Sequence, residues 1–179
     1  MPAKSSALFG WLNTWRADEL RGELRGIYIA SDAGAPMQAL TGCRCEPARG
    51  IVGDRYAAGR GHWIKTDGCE VTLIRAEDIA RASRHGPVSF LSGEHRRNLV
   101  VAGIPLDAYR RSRVRIGEVL FAFHRLRPPC GYLDRLLQPG AGKALGKGAG
   151  IGLRVVEGGA MHVGDAVQVI PAASGRDAR

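Results

Sequence analysis

The hydrophobic and polar positions along the chain change in short runs that are typical of β-strands. Such runs predict single strands at residues 26–30, 71–74 and 98–104. They also predict a hairpin in which Gly117-Glu118 joins residues 113–116 to residues 119–123. Further strands are predicted at residues 151–156, 161–163 and 166–170, with Gly158-Gly159 and Gly164-Asp165 in the turns between them.

Helical spacing is confined to short segments. Residues 76–83 predict a helix that Gly86 and Pro87 end, and residues 132–137 predict a shorter one. Near the N-terminus, an amphipathic helix with one apolar face is predicted by Leu8, Trp11, Leu12 and Trp15, which are spaced i, i+3, i+4 and i+7. We expect the barrel or a second copy in a homodimer to cover this face, and contact with a membrane surface or another protein is the alternative.

Seven to nine short strands with two or three short helices, and no alternation of strands with long helices, predict a mainly β fold. We expect a closed or nearly closed β-barrel. The 179 residues are divided into an N-terminal helical extension at 1–23, one barrel domain at 24–171 and a disordered tail at 172–179. No stretch free of charged residues reaches the roughly 20 apolar residues of a membrane-spanning helix, so no span is expected.

Arginine dominates the positive charge of the chain. Lys and Arg number 26 against 17 Asp and Glu, which leaves +9, and only 4 of the basic residues are Lys. Because Arg binds phosphate or carboxylate through two parallel hydrogen bonds, this excess favours an anionic ligand, although a GC-rich genome produces the same bias. Nucleic-acid binding is the weakest alternative, since aromatic residues make up only 6% of the chain and do not interleave with the arginines.

Four cysteines stand at positions 43, 45, 69 and 130. They are too few and too irregular for a disulfide scaffold, and they lack the paired spacing of a structural zinc site. The N-terminus shows no cleavable leader pattern. These features predict a reduced, cytoplasmic protein.

Cys130 is the most informative cysteine because of its place in Arg127-Pro128-Pro129-Cys130-Gly131, between a strand and a short helix. The two prolines fix the approach of the chain, and a helix N-terminus and an arginine both favour a thiolate. The alternative is an ordinary core cysteine.

Three other segments carry candidate binding groups. His95, Arg96, Arg97 and Asn98 precede an apolar strand and offer donors for an oxyanion, unless they form a solvated loop. Asp54 and Arg55 lie in a glycine-containing loop, where the alternative is an ordinary turn with an ion pair. Lys147 stands in Gly146-Lys147-Gly148-Ala149-Gly150, which lacks the Gly-Lys-Ser/Thr order of a nucleotide-binding loop, so ATP hydrolysis is not expected.

Taken in order, these segments resemble the MOSC domain family, named after the C-terminal domain of molybdenum cofactor sulfurase. The resemblance covers about residues 24–170. It is carried by five segments in the family's order and spacing: Gly53-Asp54-Arg55-Tyr56, Glu70-Val71-Thr72-Leu73-Ile74, His95-Arg96-Arg97-Asn98-Leu99-Val100, Arg127-Pro128-Pro129-Cys130, and Val155-Val156-Glu157-Gly158-Gly159 with Val163-Gly164-Asp165.

The resemblance implies a β-barrel that binds the molybdenum-pterin cofactor. Cys130 matches the family cysteine, which either ligates molybdenum or carries sulfur as a persulfide. The segment from His95 to Asn98 and Arg127 match positions that bind the cofactor, and Asp54 and Arg55 match a loop that shapes the same site. The sequence departs from the family where Lys147-Gly148-Ala149-Gly150 replaces His-Arg-Gly-Gly and where Gly152 replaces an arginine. Lys147 is expected to supply part of the lost anion contact as a point charge.

Two functions follow from this resemblance. In the first, the protein reduces N-hydroxylated or N-oxide small molecules with Cys130 as a molybdenum ligand, and an electron-transfer partner supplies electrons. In the second, Cys130 accepts a persulfide sulfur from a cysteine desulfurase and passes it to a metal centre. The chain has no aminotransferase-like domain, so pyridoxal phosphate enters only through that partner.

Overall fold

The fold is known from a computed structural model, which describes residues 20–64 and 68–171. The predicted N-terminal helix around residues 8–15 and the predicted tail at residues 172–179 lie outside the described residues. Within them, no helix combines the length and the apolar composition that crossing a membrane requires.

Eleven strands and three α-helices make up the described chain. The strands are β1 Arg21–Ile29, β2 Gln38–Leu40, β3 Gly42–Glu46, β4 Gly50–Ile51, β5 Val71–Arg75, β6 Leu99–Ala102, β7 Ser112–Ile116, β8 Val119–Leu126, β9 Ile151–Glu157, β10 Gly159–His162 and β11 Ala166–Pro171. The helices are α1 Ala76–His85, α2 Gly131–Leu136 and α3 Ala141–Leu145, with 3₁₀ turns at Leu106–Tyr109 and Gly146–Gly148.

Seven strands close into a barrel, which confirms the predicted fold class. The main sheet runs in the order β11-β7-β8-β9-β5-β6-β1-β2, and β11 also pairs with β1. The nine-residue strand β1 makes this closure: its first residues pair with β11, and its middle pairs with β6 across an irregularity between Leu24 and Gly26. Its last residues pair with β2. Strands β10, β3 and β4 form a separate small sheet.

Helix α1 exists because β5 and β6 are parallel and need a crossover connection. Its acidic first turn and basic last turn match the helix dipole. Ile79 and Ala82 face inward from this helix. They pack with residues of α2 and α3 into a second hydrophobic cluster outside the barrel, which contains Phe90, Leu133 and Leu145. This packing holds α2 and α3 against one end of the barrel.

The strand boundaries differ from the predicted ones at the start of the barrel. Strand β1 begins at Arg21, so residues 21–23 belong to the barrel and not to the N-terminal extension. The described chain has eleven strands, more than the predicted seven to nine, and the strands that were not predicted are the small ones β2, β3 and β4. They were missed because two to five residues with glycine and arginine among them carry too little hydrophobic alternation.

Candidate functional site

A cavity of about 490 Å³ opens where the end of β8 and helix α2 meet the segments before β5 and β6. We call it the Cys130 cavity. Its charged lining consists of five arginines: Arg55, Arg96, Arg97, Arg125 and Arg127. Its aromatic lining consists of Tyr56, His62, Trp63 and Tyr132. No Asp or Glu among the described residues lines it, so the cavity concentrates positive charge beside a thiol.

Cys130 is half-buried and lines this cavity. It is the N-cap of α2, and the backbone N–H of Tyr132 donates to its Sγ at 3.3 Å. Helix α3 packs closely behind it: a side chain at Gly142 would put a Cβ 2.8 Å from the Cys130 carbonyl oxygen. Backbone contacts therefore fix the position of the sulfur at the cavity wall.

Arg97 lines the cavity and is held by Ala149, which follows the 3₁₀ turn Gly146–Gly148. Its Nε donates to the carbonyl oxygen of Ala149 at 2.7 Å. Burial, and to a smaller extent the nearby Arg55, lower the pKa of Arg97 to about 10. The guanidinium nevertheless stays protonated at neutral pH, and its destabilised charge favours the binding of an anion.

Arg96 and Arg55 are connected to each other. Arg96 donates through Nη1 to the carbonyl oxygen of Ala35. Arg55 donates through Nη2 to the carbonyl oxygen of Arg96 at 3.3 Å. Burial, followed by repulsion from Arg55, lowers the pKa of Arg96. These contacts place two like charges at one wall of the cavity, an arrangement that a bound anion would stabilise.

Asp54 organises its loop and is not among the described residues that line the cavity. It is 1% exposed. One carboxylate oxygen accepts from the backbone N–H of Ala30 at 3.1 Å and from Arg55 Nη1 at 3.0 Å, and the other accepts from the N–H of Tyr56 at 3.1 Å. The ion pair with Arg55 is almost entirely removed from solvent.

Asp54→Asn should lower the free energy of unfolding by about 2 kcal/mol, because it leaves the buried Arg55 charge without its counter-ion. Urea denaturation measures this difference. The matched control is Asp107→Asn, since Asp107 pairs with Arg110 at an exposed site. The control should change stability by less than about 0.5 kcal/mol. Equal effects of the two substitutions would contradict a structural role for the Asp54–Arg55 pair.

Asn98 and His95, both predicted to bind a cofactor, are not among the described residues that line the cavity. Asn98 Oδ1 accepts from the N–H and the hydroxyl of Thr72, and its Nδ2 donates to the carbonyl oxygen of Tyr28. Asn98 thus joins β1, β5 and the start of β6. His95 is fully buried, with its ring edge against Tyr28 at a centroid distance of 5.1 Å.

Burial lowers the pKa of His95 from 6.5 to about 3. The unfolded chain therefore binds a proton below pH 6.5 that the folded protein excludes until about pH 3. Stability must fall as the pH falls through this range, by up to about 1.4 kcal/mol per pH unit, and this residue adds no pH dependence above it. Urea denaturation at several pH values should show that the free energy of unfolding depends less on pH in His95→Phe than in wild type. His162→Gln, at an exposed site, should keep the wild-type slope.

Arg127 and Lys147 differ in their position relative to the cavity. Arg127 lines the cavity, and burial lowers its pKa while its interaction with Tyr56 opposes that change. Lys147 is exposed in the 3₁₀ turn Gly146–Gly148 and does not line the cavity. Its predicted contact with an anion in the cavity is not supported by this position. The glycine-rich turn contributes the Ala149 carbonyl that binds Arg97 instead.

Sequence reasoning missed the aromatic wall and Arg125. The rings of His62 and Tyr132 stack at a centroid distance of 3.8 Å and an angle of 7°, and Trp63 meets His62 edge-on at 4.7 Å. Gly61 permits the loop to approach, because a Cβ there would lie 2.6 Å from the Tyr56 ring. Gly61, followed directly by His62-Trp63, is the one signal in the sequence that could have indicated this wall.

Cys43, Cys45 and Cys69 are free thiols that do not line the cavity. Burial raises the pKa of Cys69 to about 11, so this thiol stays protonated at neutral pH. In the described part of the chain, no three His, Cys, Asp or Glu side chains are grouped to hold a metal ion. A metal at Cys130 would therefore need most of its ligands from a cofactor.

Comparison with known proteins identifies the family of the chain. The family model described as the MOSC domain matches residues 62–168. The chain belongs to the MOSC domain family. The match includes the aromatic wall, both arginines before β6 and Cys130, whereas Asp54 and Arg55 precede it.

Solved structures share the fold of this MOSC domain. The YuaD protein from Bacillus subtilis superposes with a TM-score of 0.69 at 18% identity, over 83% of this chain and 95% of that one. YiiM from Geobacillus stearothermophilus gives 0.66 at 14% identity over 86% and 77% of the two chains. YiiM from Escherichia coli gives 0.58 at 14% identity over 83% and 69%. No curated protein sequence matches the chain significantly.

Proposed function

We propose that this MOSC domain binds the molybdenum-pterin cofactor in the Cys130 cavity and reduces N-hydroxylated small molecules. One observation supports the proposal above all: a half-buried thiol lines a cavity that contains five arginines and no carboxylate among the described residues. A sulfur ligand beside a concentrated positive charge suits a cofactor that carries both a sulfur-binding metal and an anionic phosphate.

The residues present fit the cofactor in size and chemistry. The cavity volume of about 490 Å³ lies within the roughly 300–1,000 Å³ of small-molecule sites. Tyr56, Trp63 and Tyr132 offer aromatic surfaces for a planar pterin. Because the cofactor carries its own sulfur ligands, a single protein thiol is enough to complete the attachment of the metal.

The chain's own residues would bind and orient this group. Arg97 uses Nε for Ala149, so its terminal nitrogens are the ones available to a phosphate. Arg96 and Arg127 add charge to the same cavity, whereas the charge of Arg55 is balanced by Asp54. Cys130 is held by the Tyr132 N–H, which fixes the sulfur in a position to ligate. The bound metal would supply the two electrons that, with two protons from solvent, reduce N–OH to N–H and release water, and an electron-transfer partner would replace the electrons.

A sulfur-carrier function is the second candidate, and one observation favours it. Cys130 is the only described cysteine that lines the cavity, so a persulfide formed there would extend into a positively charged space. A cysteine desulfurase would donate the sulfur, with pyridoxal phosphate bound to that partner. Reversible persulfide chemistry needs a thiol kept reduced, as in the cytoplasm.

The two functions are separated by analysis of protein purified from a molybdenum-replete host. Stoichiometric molybdenum, together with reduction of an N-hydroxylated base by chemically reduced protein, supports the reductase. A persulfide on Cys130 without metal supports the carrier. Protein that holds neither, even after incubation with cofactor or with a desulfurase and cysteine, would contradict both.

A further inference from the structure

Two consecutive arginines, Arg96 and Arg97, line the same cavity. In an extended segment, neighbouring side chains point to opposite faces, so a strand leading into β6 would direct only one of them inward. The backbone at Arg96 is not extended, because its φ is 59°. This left-handed conformation turns the chain between the two residues, but it is unfavourable for a residue with a side chain. Something must therefore hold it.

Backbone contacts of the turn identify what holds it. The N–H of Arg96 donates to the carbonyl oxygen of Gly93 at 2.9 Å, and the Arg96 carbonyl oxygen accepts from Arg55. The N–H of Arg97 donates to Nδ1 of His95 at 3.0 Å. The last contact spans the left-handed residue, in the manner of an Asx turn in which a side chain binds the N–H two residues later.

His95 acts on the cavity only through this contact. Its ring is fully buried and does not line the cavity. Because burial lowers its pKa to about 3, Nδ1 keeps the lone pair that accepts the Arg97 N–H throughout the neutral range. Nδ1 as acceptor places the ring hydrogen on Nε2, and that atom has no hydrogen-bond partner among the described residues. The ring thus keeps an unsatisfied donor while its acceptor is used.

We propose that His95 is a positioning residue that fixes the left-handed turn at Arg96, so that the guanidinium groups of Arg96 and Arg97 enter the Cys130 cavity together. This role rests on the anion-binding part of the proposed function and not on molybdenum. It differs from a packing role, for which only the shape and apolar contacts of the ring would matter.

Two substitutions separate positioning from packing. If His95 positions the arginines, phosphate affinity should be higher in His95→Asn than in His95→Phe, whereas a packing role predicts the reverse order. His95→Asn loses the ring but keeps a side-chain oxygen that can accept the Arg97 N–H. His95→Phe keeps a ring of similar size but has no acceptor. Inorganic phosphate, titrated calorimetrically, is the probe, and thermal unfolding gives the stability of each variant. We expect the phosphate dissociation constant to stay within about threefold of wild type in His95→Asn and to rise about tenfold in His95→Phe.

Amide hydrogen exchange of Arg97, followed by NMR, tests the same contact without any ligand. The amide should be protected in wild type and in His95→Asn and should exchange faster in His95→Phe. Phosphate affinities that simply follow the melting temperatures, or an unprotected Arg97 amide in wild type, would overturn the positioning role.

A second pair of variants covers the case in which His95→Phe does not fold. Arg96→Gly and Arg96→Ala both lack the guanidinium, but only glycine adopts the left-handed conformation readily. Arg96→Gly should bind phosphate about fivefold more tightly than Arg96→Ala, and equal affinities would overturn the proposal. If the variants rank in phosphate affinity as expected but the wild-type protein never binds molybdenum, the proposed function is contradicted and the role of His95 is still supported.

Discussion

Cys130→Ser is expected to abolish both molybdenum and persulfide loading while the protein keeps its fold. Serine is nearly isosteric, and its oxygen can accept the Tyr132 N–H that now binds Sγ. It offers a hard oxygen in place of soft sulfur and cannot form a persulfide. Elemental analysis measures bound molybdenum, mass spectrometry measures the persulfide, and circular dichroism reports the fold.

Cys43→Ser is the matched control for this experiment. Cys43 is also half-buried and free, but it lies on β3 and does not line the cavity. The control should load as well as wild type, and Cys45→Ser should also have little effect on loading. If the Cys130 and Cys43 variants load equally, the site is not at Cys130, and the functional proposal fails in both of its forms.

Arg97→Ala should weaken retention of the cofactor by about 1.5–3 kcal/mol, which is roughly a 10- to 150-fold higher dissociation constant. The reason is the loss of a charge-assisted contact inside a cavity where solvent screens little. Equilibrium dialysis of released cofactor against the apoprotein measures the change. Arg97→Lys should be intermediate, because it keeps the charge but loses the planar pair of donors.

Arg110→Ala is the control for general charge loss, since Arg110 is exposed and pairs with Asp107. It removes one positive charge from the surface without touching the cavity. It should leave the dissociation constant unchanged at moderate ionic strength, where exposed charges are screened. Retention of the cofactor by Arg97→Ala at the wild-type level would show that this side chain does not contact the phosphate.

Much of the barrel could be predicted because its hairpins carry their own local signals. Gly117 adopts a positive φ in the turn between β7 and β8, and the alternation of Val114 and Ile116 sets the face that is buried. Helix α1 was predicted within two residues of its end for a similar reason. The pairing of β1 with β11 could not be read locally, since it joins residues near both ends of the described chain.

The site was predictable only in its residue types. Arg55, Arg97, Arg127 and Cys130 come together as the order of the segments indicated. The direction of each side chain was not predictable, because Arg96 adopts a left-handed conformation without being glycine or asparagine. Side chains next to Arg96 therefore do not alternate between the two faces as they would in a regular strand.

The aromatic wall shows a different limit of prediction. His62 and Tyr132 are far apart in sequence and meet only because α2 is packed against the mouth of the barrel. Stacking of this kind depends on the topology of the chain, so no local sequence pattern predicts it.

The closure of the barrel by its first and last strands sets an order of events during synthesis. Strand β11 bonds to both β7 and β1, so the ring of strands stays open until residues 166–171 emerge from the ribosome. The segments that surround Cys130 are translated earlier but have no closed scaffold until then. The barrel end that carries the Cys130 cavity is therefore complete only after the residues of β11 have been translated.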